Sequence, residues 1–279
     1  MKHFAKAQLS LLPVAENPFH NFAARHALAI YRSRAIYTFI PKNACSTMRY
    51  SLARNNLFIS GSTPMDWHHS NNLTFVASQE FAASAEYAFV LLRCPFRRIA
   101  SAYLDKVVTA NRVVRSIYPS KFRKMQLRLM ERSMYHSLSF RDFIERISRI
   151  DRLKLNPHWR PQVDFLLYDD YDDYYSVEEF SQFETEIIQK IGFSVYDARD
   201  AIGHDTSNFQ KIAGNFADTP AGEVFRLREA GKLPSYSSLF DDALVARVAE
   251  IYADDLAFYS GHIGTAGLLF PDALPSGRS

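Results

Sequence analysis

One lysine followed by small and hydroxyl-bearing residues forms a segment with the composition of an anion-binding loop. The segment consists of Lys42, Asn43, Ala44, Cys45, Ser46 and Thr47. Small side chains let a phosphate-like group approach the backbone, the two hydroxyls add donors, and the lysine adds positive charge. It is not a Walker A motif, because the lysine stands at its start and no Gly-x-x-x-x-Gly-Lys-Ser/Thr pattern occurs. A plain strand-to-helix connection is the alternative interpretation.

Arg93 and Ser101 form a second pair suited to binding an anion. Arg93 follows an apolar run, and Ser101 lies on the helical segment that comes next. A guanidinium can donate two hydrogen bonds to a phosphate, and a nearby hydroxyl adds a further donor. Two such places along the chain predict a ligand with two separated phosphates.

The elements that must position these residues are two strands, each followed by a loop and a helix. The apolar runs at 35–40 and 87–92 predict buried strands, and residues 48–55 and 96–108 predict the helices after them. Because a right-handed crossover usually links parallel strands, two such units predict a parallel sheet flanked by helices. Ligands bind at the carboxyl ends of parallel strands, so we expect both anion sites at that edge.

The rest of the chain adds one strand and several helices. We expect a strand at 174–177 and helices at 121–134, 140–150, 183–191 and 244–259. Ser139 and Asp142 form a capping box, and Gly192 is a predicted helix C-cap. With no repeat and no convincing domain boundary, the fold class is α/β with a parallel sheet flanked by helices in a single domain. We place that domain at 31–262, an N-terminal extension at 1–30 and a flexible tail at 263–279.

Composition excludes several classes of protein. The chain has 279 residues, of which 47% are hydrophobic and 23% charged, so it is neither disordered nor collagen-like nor a coiled coil. Its apolar runs fall short of the roughly 18 residues of a membrane span. The first residues show no export signal, and two cysteines, Cys45 and Cys94, cannot build a disulfide framework. We therefore expect a cytoplasmic protein.

Basic residues are concentrated in the middle of the chain. Residues 93–160 contain 17 lysines and arginines against 5 aspartates and glutamates, a net charge of +12, whereas the remainder contains 16 against 25. Such a segment can hold nucleic acid, an anionic nucleotide or an acidic polymer, and composition does not separate these. The alternative is a set of solvated helix faces.

Four blocks of the sequence, in order, resemble those of sulfotransferases. Residues 40–47 resemble the 5′-phosphosulfate loop, and residues 92–106 resemble the 3′-phosphate motif, Arg-x-Pro-Phe-x-Arg followed by Ser-Ala-Tyr. Residues 158–162 resemble the His-Trp-x-Pro-Gln block of the carbohydrate sulfotransferases, and residues 251–258 are similar to their closing helix. The resemblance implies the sulfotransferase fold, which has a P-loop-like parallel sheet flanked by helices. In secreted members cysteines follow the His-Trp-x-Pro-Gln block, and this chain has none directly after residue 162. Their loss fits a cytoplasmic, bacterial member.

The resemblance also implies roles for the two loops. Lys42 would stabilise charge on the leaving phosphate, and the following loop residues, Asn43, Ala44, Cys45, Ser46 and Thr47, would hold the 5′ end of the donor. Arg93 and Ser101 would hold its 3′-phosphate. The family loop often has glycine where Ala44 stands, so we expect a backbone there that tolerates a Cβ, unlike a glycine-only turn with positive φ.

A general base must still remove the proton of the acceptor hydroxyl, and histidine has the pKa best suited to neutral pH. His69 to Phe75 resembles the stretch that carries the base in 2-O-sulfotransferases, so His69 is the preferred base. His68 is the second candidate, and a purely structural pair is the third interpretation. His158, beside Trp159, is expected to orient the substrate or to stabilise the core.

The leading hypothesis is a sulfotransferase that moves a sulfuryl group from the co-substrate 3′-phosphoadenosine 5′-phosphosulfate to a carbohydrate hydroxyl, without a metal. The basic helices from Arg112 to Lys154 would line a groove for a glycan acceptor, which their charge suggests is anionic. We expect no nucleic-acid partner and no membrane span. A small-molecule P-loop kinase and a non-catalytic protein that binds anionic glycans are the alternatives.

Overall fold

Four strands form the main sheet of the protein. The computed structural model describes residues 2–5, 13–60, 73–118, 133–198 and 208–274. Its sheet contains, in hydrogen-bonded order, β1 (Ala27–Ile30), β2 (Ala35–Thr38), β3 (Tyr87–Leu92) and β4 (Asp173–Ser176). The pairs β2–β3 and β3–β4 are parallel, which confirms the predicted parallel sheet. β1 was not predicted, and it pairs antiparallel with β2.

The outer edge of β1 is paired with the segment 75–77. The amide of Ala29 donates to the carbonyl of Phe75 at 2.8 Å, and the amide of Ala77 donates to the carbonyl of Ala27 at 2.9 Å. Backbone groups of β1 are therefore bonded on both of its sides.

Helices account for most of the other regular structure. They are α1 (Pro18–Ala24), α2 (Cys45–Asn55), α3 (Gln79–Ala83), α4 (Pro95–Ala102), α5 (Phe140–Ile147), α6 (Phe180–Ile191), α7 (Ala221–Glu229), α8 (Asp242–Ile251) and α9 (Ala253–His262). A second, two-stranded parallel sheet joins β5 (Gln210–Ile212) to β6 (Lys232–Pro234). Among the described residues, no helix combines the length and the apolar character that crossing a membrane requires.

The chain divides into two compact units, each built from separate stretches of sequence. The first comprises Met1–Arg93, Pro161–Asp205 and Tyr259–Gly267, and it contains the four-stranded sheet with α1, α2, α3 and α6. The second comprises Cys94–Arg160, Thr206–Phe258 and Leu268–Ser279, and it contains α4, α5, α7, α8 and the small sheet.

The core of the first unit lies on the sheet. Apolar side chains of the strands, such as Tyr37 and Phe89, are fully buried and their rings stack with centroids 5.4 Å apart. Helices α2 and α6 pack on the same core through Leu52 and Ile187. Strands buried in this way read as continuous apolar runs, which is why the sequence predicts β2 and β3.

The core of the second unit is a cluster of aromatic rings. Phe140 contacts Tyr103 at 5.2 Å and Phe240 at 4.9 Å between ring centroids, and Phe143 meets Trp159 at 5.5 Å. Edge-to-face packing of this kind adds stability beyond burial alone. The predicted capping box is confirmed, because the Ser139 and Asp142 side chains each accept from the other's backbone amide at the start of α5.

Three predicted helices differ from those observed. The segment predicted as one helix at 96–108 begins as α4 and changes to a π-helix at Tyr103–Val107. The single helix predicted at 244–259 is wrong: α8 ends before Tyr252, whose backbone leaves the helical region at φ −112° and whose hydroxyl donates to the carbonyl of Trp159 at 2.6 Å. The helix predicted at 140–150 ends at Ile147.

Other predicted elements agree with the structure or cannot be compared with it. β4 lies one residue before the predicted strand, and α6 begins at Phe180 and ends at the predicted C-cap, Gly192, whose φ is 67°. Most of the helix predicted at 121–134 lies outside the described residues.

Candidate functional site

The loop after β2 leads directly into the N-terminus of α2. The first intrahelical bond of α2 runs from the amide of Met48 to the carbonyl of Ala44 at 3.0 Å, so the amides of residues 45–47 precede it. The methyl group of Ala44 at the N-cap cannot accept from them. Uncapped amides and the helix dipole together favour an anion, and the half-buried Ser46 and Thr47 place hydroxyls in the same turn.

The backbone of this loop has left-handed residues on both sides of Asn43. Lys42 has φ 74° and Ala44 has φ 51°. The expectation that Ala44 would avoid positive φ is therefore wrong. At φ 51° and ψ 24° the residue lies in the small left-handed region that L-residues enter at a cost, so its Cβ is tolerated although glycine would fit better.

Ala44→Gly is expected to raise the free energy of unfolding by about 0.5–1 kcal/mol. Relief of the left-handed conformation is worth about 1–2 kcal/mol, and the extra freedom of glycine in the unfolded chain returns about 0.4–1 kcal/mol. Denaturant unfolding of both proteins measures the difference. Ala246→Gly, at an exposed position inside α8, is the control and should lose about 0.5–1 kcal/mol. A loss for Ala44→Gly as well would show that the loop is not strained.

The two predicted anion-binding loops are in contact. The Nη1 atom of Arg93, directly after β3, donates to the backbone carbonyl of Lys42 at 2.7 Å. β2 and β3 are parallel neighbours, so their carboxyl ends bring the two residues to the same edge of the sheet. The structure thus joins Lys42 and Arg93, which lie far apart in the sequence.

A buried amide pair fastens the two loops to each other. The side-chain nitrogen of Asn43 donates to the carbonyl of Leu91 at 2.8 Å and to Oε1 of Gln162 at 2.6 Å. The same Oε1 accepts from the amide of Arg93 at 3.0 Å, and Nε2 of Gln162 donates to the carbonyl of Arg93 at 2.9 Å. Sequence reasoning missed Gln162, although the His-Trp-x-Pro-Gln block contains it.

Tyr37 of β2 and Arg49 of α2 both interact electrostatically with Cys45. Burial raises the pKa of the Tyr37 hydroxyl well above 10, and the nearby Cys45 raises it further. Burial lowers the pKa of the Arg49 guanidinium, which lies 5.3 Å from the centre of the Phe39 ring. Arginine stays protonated in proteins, so a positive charge sits one turn beyond Cys45 on α2.

Ser101 and His158 belong to the second unit. Ser101 is half-buried on α4. The Nδ1 atom of His158 lies 2.7 Å from Oδ1 of Asn156, which also accepts from the His158 amide at 3.1 Å. Because a carbonyl oxygen can only accept, Nδ1 carries the proton, and this contact fixes the orientation of the ring.

The neighbours of His158 in its block are structural. Trp159 and Arg160 are buried, and buried Arg98 donates to the carbonyl of Arg160 at 2.8 Å and to that of Pro157 at 3.1 Å. His68 and His69 lie at 61–72, outside the described residues, so the assignment of the base stays a prediction.

Several residues of the basic middle segment are paired within the second unit. Arg141 forms ion pairs with Asp218 at 2.7 Å and with Asp241, and Arg152 pairs with Asp254 at 2.7 Å. The charge of the segment therefore overstates the number of cations that a ligand can meet. The described ranges contain no group of three or more histidine, cysteine, aspartate or glutamate side chains arranged to hold a metal ion.

The loop after β2 enters a helix and contacts the arginine that follows the parallel strand β3. The protein is thus an α/β protein with a candidate anion site at the carboxyl edge of its sheet. The sequence from residue 25 to residue 260 matches the sulfotransferase family. The chain therefore belongs to the sulfotransferase family, whose members carry out sulfotransfer. Neither the curated proteins nor the solved structures contain a match to it.

Proposed function

We propose that this sulfotransferase takes its sulfuryl group from 3′-phosphoadenosine 5′-phosphosulfate and transfers it to a hydroxyl of a carbohydrate. The observation that carries the proposal is the 2.7 Å contact between Arg93 and the carbonyl of Lys42. It sets a guanidinium beside the loop whose amides and hydroxyls suit the sulfated end of the donor. The donor has a phosphate at each end of its ribose, so it calls for two anion sites that lie close together.

Each residue of the loops has a role in the proposal. The amides at the start of α2, with the hydroxyls of Ser46 and Thr47, hold the 5′ end of the donor. Lys42 stabilises the negative charge that develops on the bridging oxygen of the leaving phosphate, and Arg93 and Ser101 hold the 3′-phosphate. Transfer of a charged group depends chiefly on positioning and on preorganised positive charge, which such an arrangement supplies.

The chemical step is an in-line displacement at sulfur. A bond forms between the acceptor oxygen and sulfur, the bond from sulfur to the bridging oxygen breaks, and the electron pair of that bond stays on the leaving phosphate. The acceptor proton passes to a general base, for which we propose His69 with His68 as the second candidate. Lys42 thus acts on the oxygen that leaves the sulfur, and the base acts on the acceptor oxygen that attacks it.

We propose a carbohydrate as the acceptor because residues 158–162 resemble the His-Trp-x-Pro-Gln block of carbohydrate sulfotransferases. Trp159 and Arg160 are buried, while His158 is half-buried and held by Asn156. His158 is thereby the residue of the block suited to contact a substrate. We propose a cytoplasmic enzyme, because Cys45 and Cys94 are both free thiols. Cysteines stay reduced in the cytoplasm, whereas secreted proteins commonly pair them in disulfides.

Binding of nucleotides tests the donor. Adenosine 3′,5′-bisphosphate is expected to raise the melting temperature, because a ligand at a hundred times its Kd stabilises the native state by about 2.7 kcal/mol. ATP, which lacks the 3′-phosphate, should raise it weakly or not at all. Thermal unfolding with each nucleotide, with and without Mg²⁺, measures both effects.

The outcome of that titration separates the candidate functions. Equal shifts from the two nucleotides would contradict the proposed donor, and a shift from ATP that needs Mg²⁺ would favour a kinase. Binding of heparin without binding of either nucleotide would favour a non-catalytic glycan-binding protein. A labelled donor with a panel of glycans then identifies the acceptor.

A further inference from the structure

Gln162 makes hydrogen bonds to both loops of the site with one side chain. Gln162 is 1% exposed. Its side-chain amide makes one hydrogen bond to Asn43 and two to the backbone of Arg93. The orientation of the amide follows from its partners, since the N–H of Arg93 requires an acceptor and the carbonyl of Arg93 requires a donor. A side chain that both accepts and donates is needed at this point.

The contact with Asn43 matters because of the backbone on either side of it. Lys42 and Ala44 have φ values of 74° and 51°, and such left-handed residues persist when the surroundings fix them. Asn43 is fully buried between them, and its side-chain nitrogen donates to Leu91 and Gln162. The shape of the loop is therefore held through the Asn43 side chain.

The contact with Arg93 fixes the start of the second loop. Gln162 binds the amide and the carbonyl of Arg93, and the guanidinium of the same residue then reaches the carbonyl of Lys42. The loop after β2 and the residue after β3 thus share one bridge. Loss of that bridge removes the Gln162 partner of three polar groups, which are the side-chain amide of Asn43 and the N–H and carbonyl of Arg93.

We propose that Gln162 is a positioning residue of the donor site, which sets the spacing between the loop that begins at Lys42 and Arg93. This inference rests on the proposed function, since it assigns the spacing to a ligand that bears two phosphates. Gln162 itself touches the backbone of Arg93 and the side chain of Asn43, so it acts on the ligand through them.

Gln162→Leu and Gln162→Asn test the inference in the full chain. The probe is adenosine 3′,5′-bisphosphate, and its Kd is measured by calorimetry well below the melting temperature of each variant. The leucine removes all three hydrogen bonds, and we expect Kd to rise about 10–100-fold, which is the effect of losing one hydrogen bond to a charged group such as a phosphate. Asparagine is neutral and carries the same amide on a side chain one methylene shorter, so it cannot reach both loops at once, and its Kd should lie between those of wild type and Gln162→Leu.

Asn55→Leu is the matched control. Asn55 holds a backbone residue in the same two-sided way, accepting from the amide of Ser194 at 3.0 Å and donating to its carbonyl at 2.7 Å. It lies at the far end of α2 from the loop. We expect this variant to lose melting temperature as Gln162→Leu does, yet to bind the nucleotide with the affinity of wild type.

The results separate the positioning role of Gln162 from the proposed sulfotransferase donor. Failure of the wild type to bind the bisphosphate overturns both. Tight binding by the wild type with unchanged Kd in the Gln162 variants overturns the positioning role alone, and so does an equal loss of affinity in Asn55→Leu. Where Gln162→Leu does not fold, Gln162→Asn decides: a raised Kd supports the role, and a wild-type Kd contradicts it.

Discussion

Replacement of His69 by alanine is expected to lower kcat by about 10²–10⁴-fold, the range usual for loss of a general base. Affinity for adenosine 3′,5′-bisphosphate should stay near that of wild type, because the proposed base acts on the acceptor. A transfer assay with labelled donor, at saturating concentrations of both substrates, measures kcat, and calorimetry measures nucleotide affinity.

His68→Ala is the matched control, since it removes the neighbouring imidazole and should lower kcat much less. The pH–rate profile gives an independent check. With a histidine base, activity of the wild type falls as the pH drops below about 6.5, because the protonated imidazole cannot accept a proton, and the His69 variant lacks this limb. Full activity in His69→Ala with the acid limb intact would move the base to His68, His158 or a carboxylate.

Lys42→Ala is expected to lower kcat by about 10²–10³-fold, as loss of one preorganised donor to a developing oxyanion does in other enzymes. The contact that Arg93 makes is with the backbone carbonyl of Lys42, which the variant keeps. Alanine also keeps the Cβ, so the strain at φ 74° does not change. The loss therefore reports the ammonium group, and single-turnover transfer of labelled sulfate measures it.

Lys232→Ala provides the comparison for Lys42→Ala. It removes an exposed lysine outside the basic segment and should leave kcat within about twofold of wild type, since exposed charges are screened by salt. Similar losses in both variants would mean that overall charge, and not the loop lysine, supports transfer.

Local signals predict the elements that carry the site. The runs that form β2 and β3 are apolar and end at Pro41 and Arg93, so the strands follow from burial alone. The capping box at Ser139 depends on residues three positions apart, and it too is visible in the sequence. Parallel pairing of neighbouring units then brings the loop after β2 to Arg93 without further information.

Contacts between distant residues account for what the sequence does not predict. Gln162 is separated by 119 residues from Asn43 and by 69 from Arg93, and no periodicity links such positions. The break between α8 and α9 likewise occurs at Tyr252, whose hydroxyl donates to the carbonyl of Trp159, 93 residues away. β1 has four residues, too short to give a clear alternation. The left-handed backbone of Ala44 could not be predicted, because positive φ is expected from the sequence only at glycine, asparagine or aspartate.

The partners of β1 bear on how the protein behaves at high concentration. An edge strand with unused amides and carbonyls can recruit a strand from another molecule and start aggregation. At this edge Ala27 and Ala29 already bond the segment 75–77, so the backbone groups that would template intermolecular strand addition are occupied. The segment 75–77 thus prevents the short, fully buried strand β1 from pairing with a strand of another molecule. In many proteins charged residues or prolines on the edge strand have this effect.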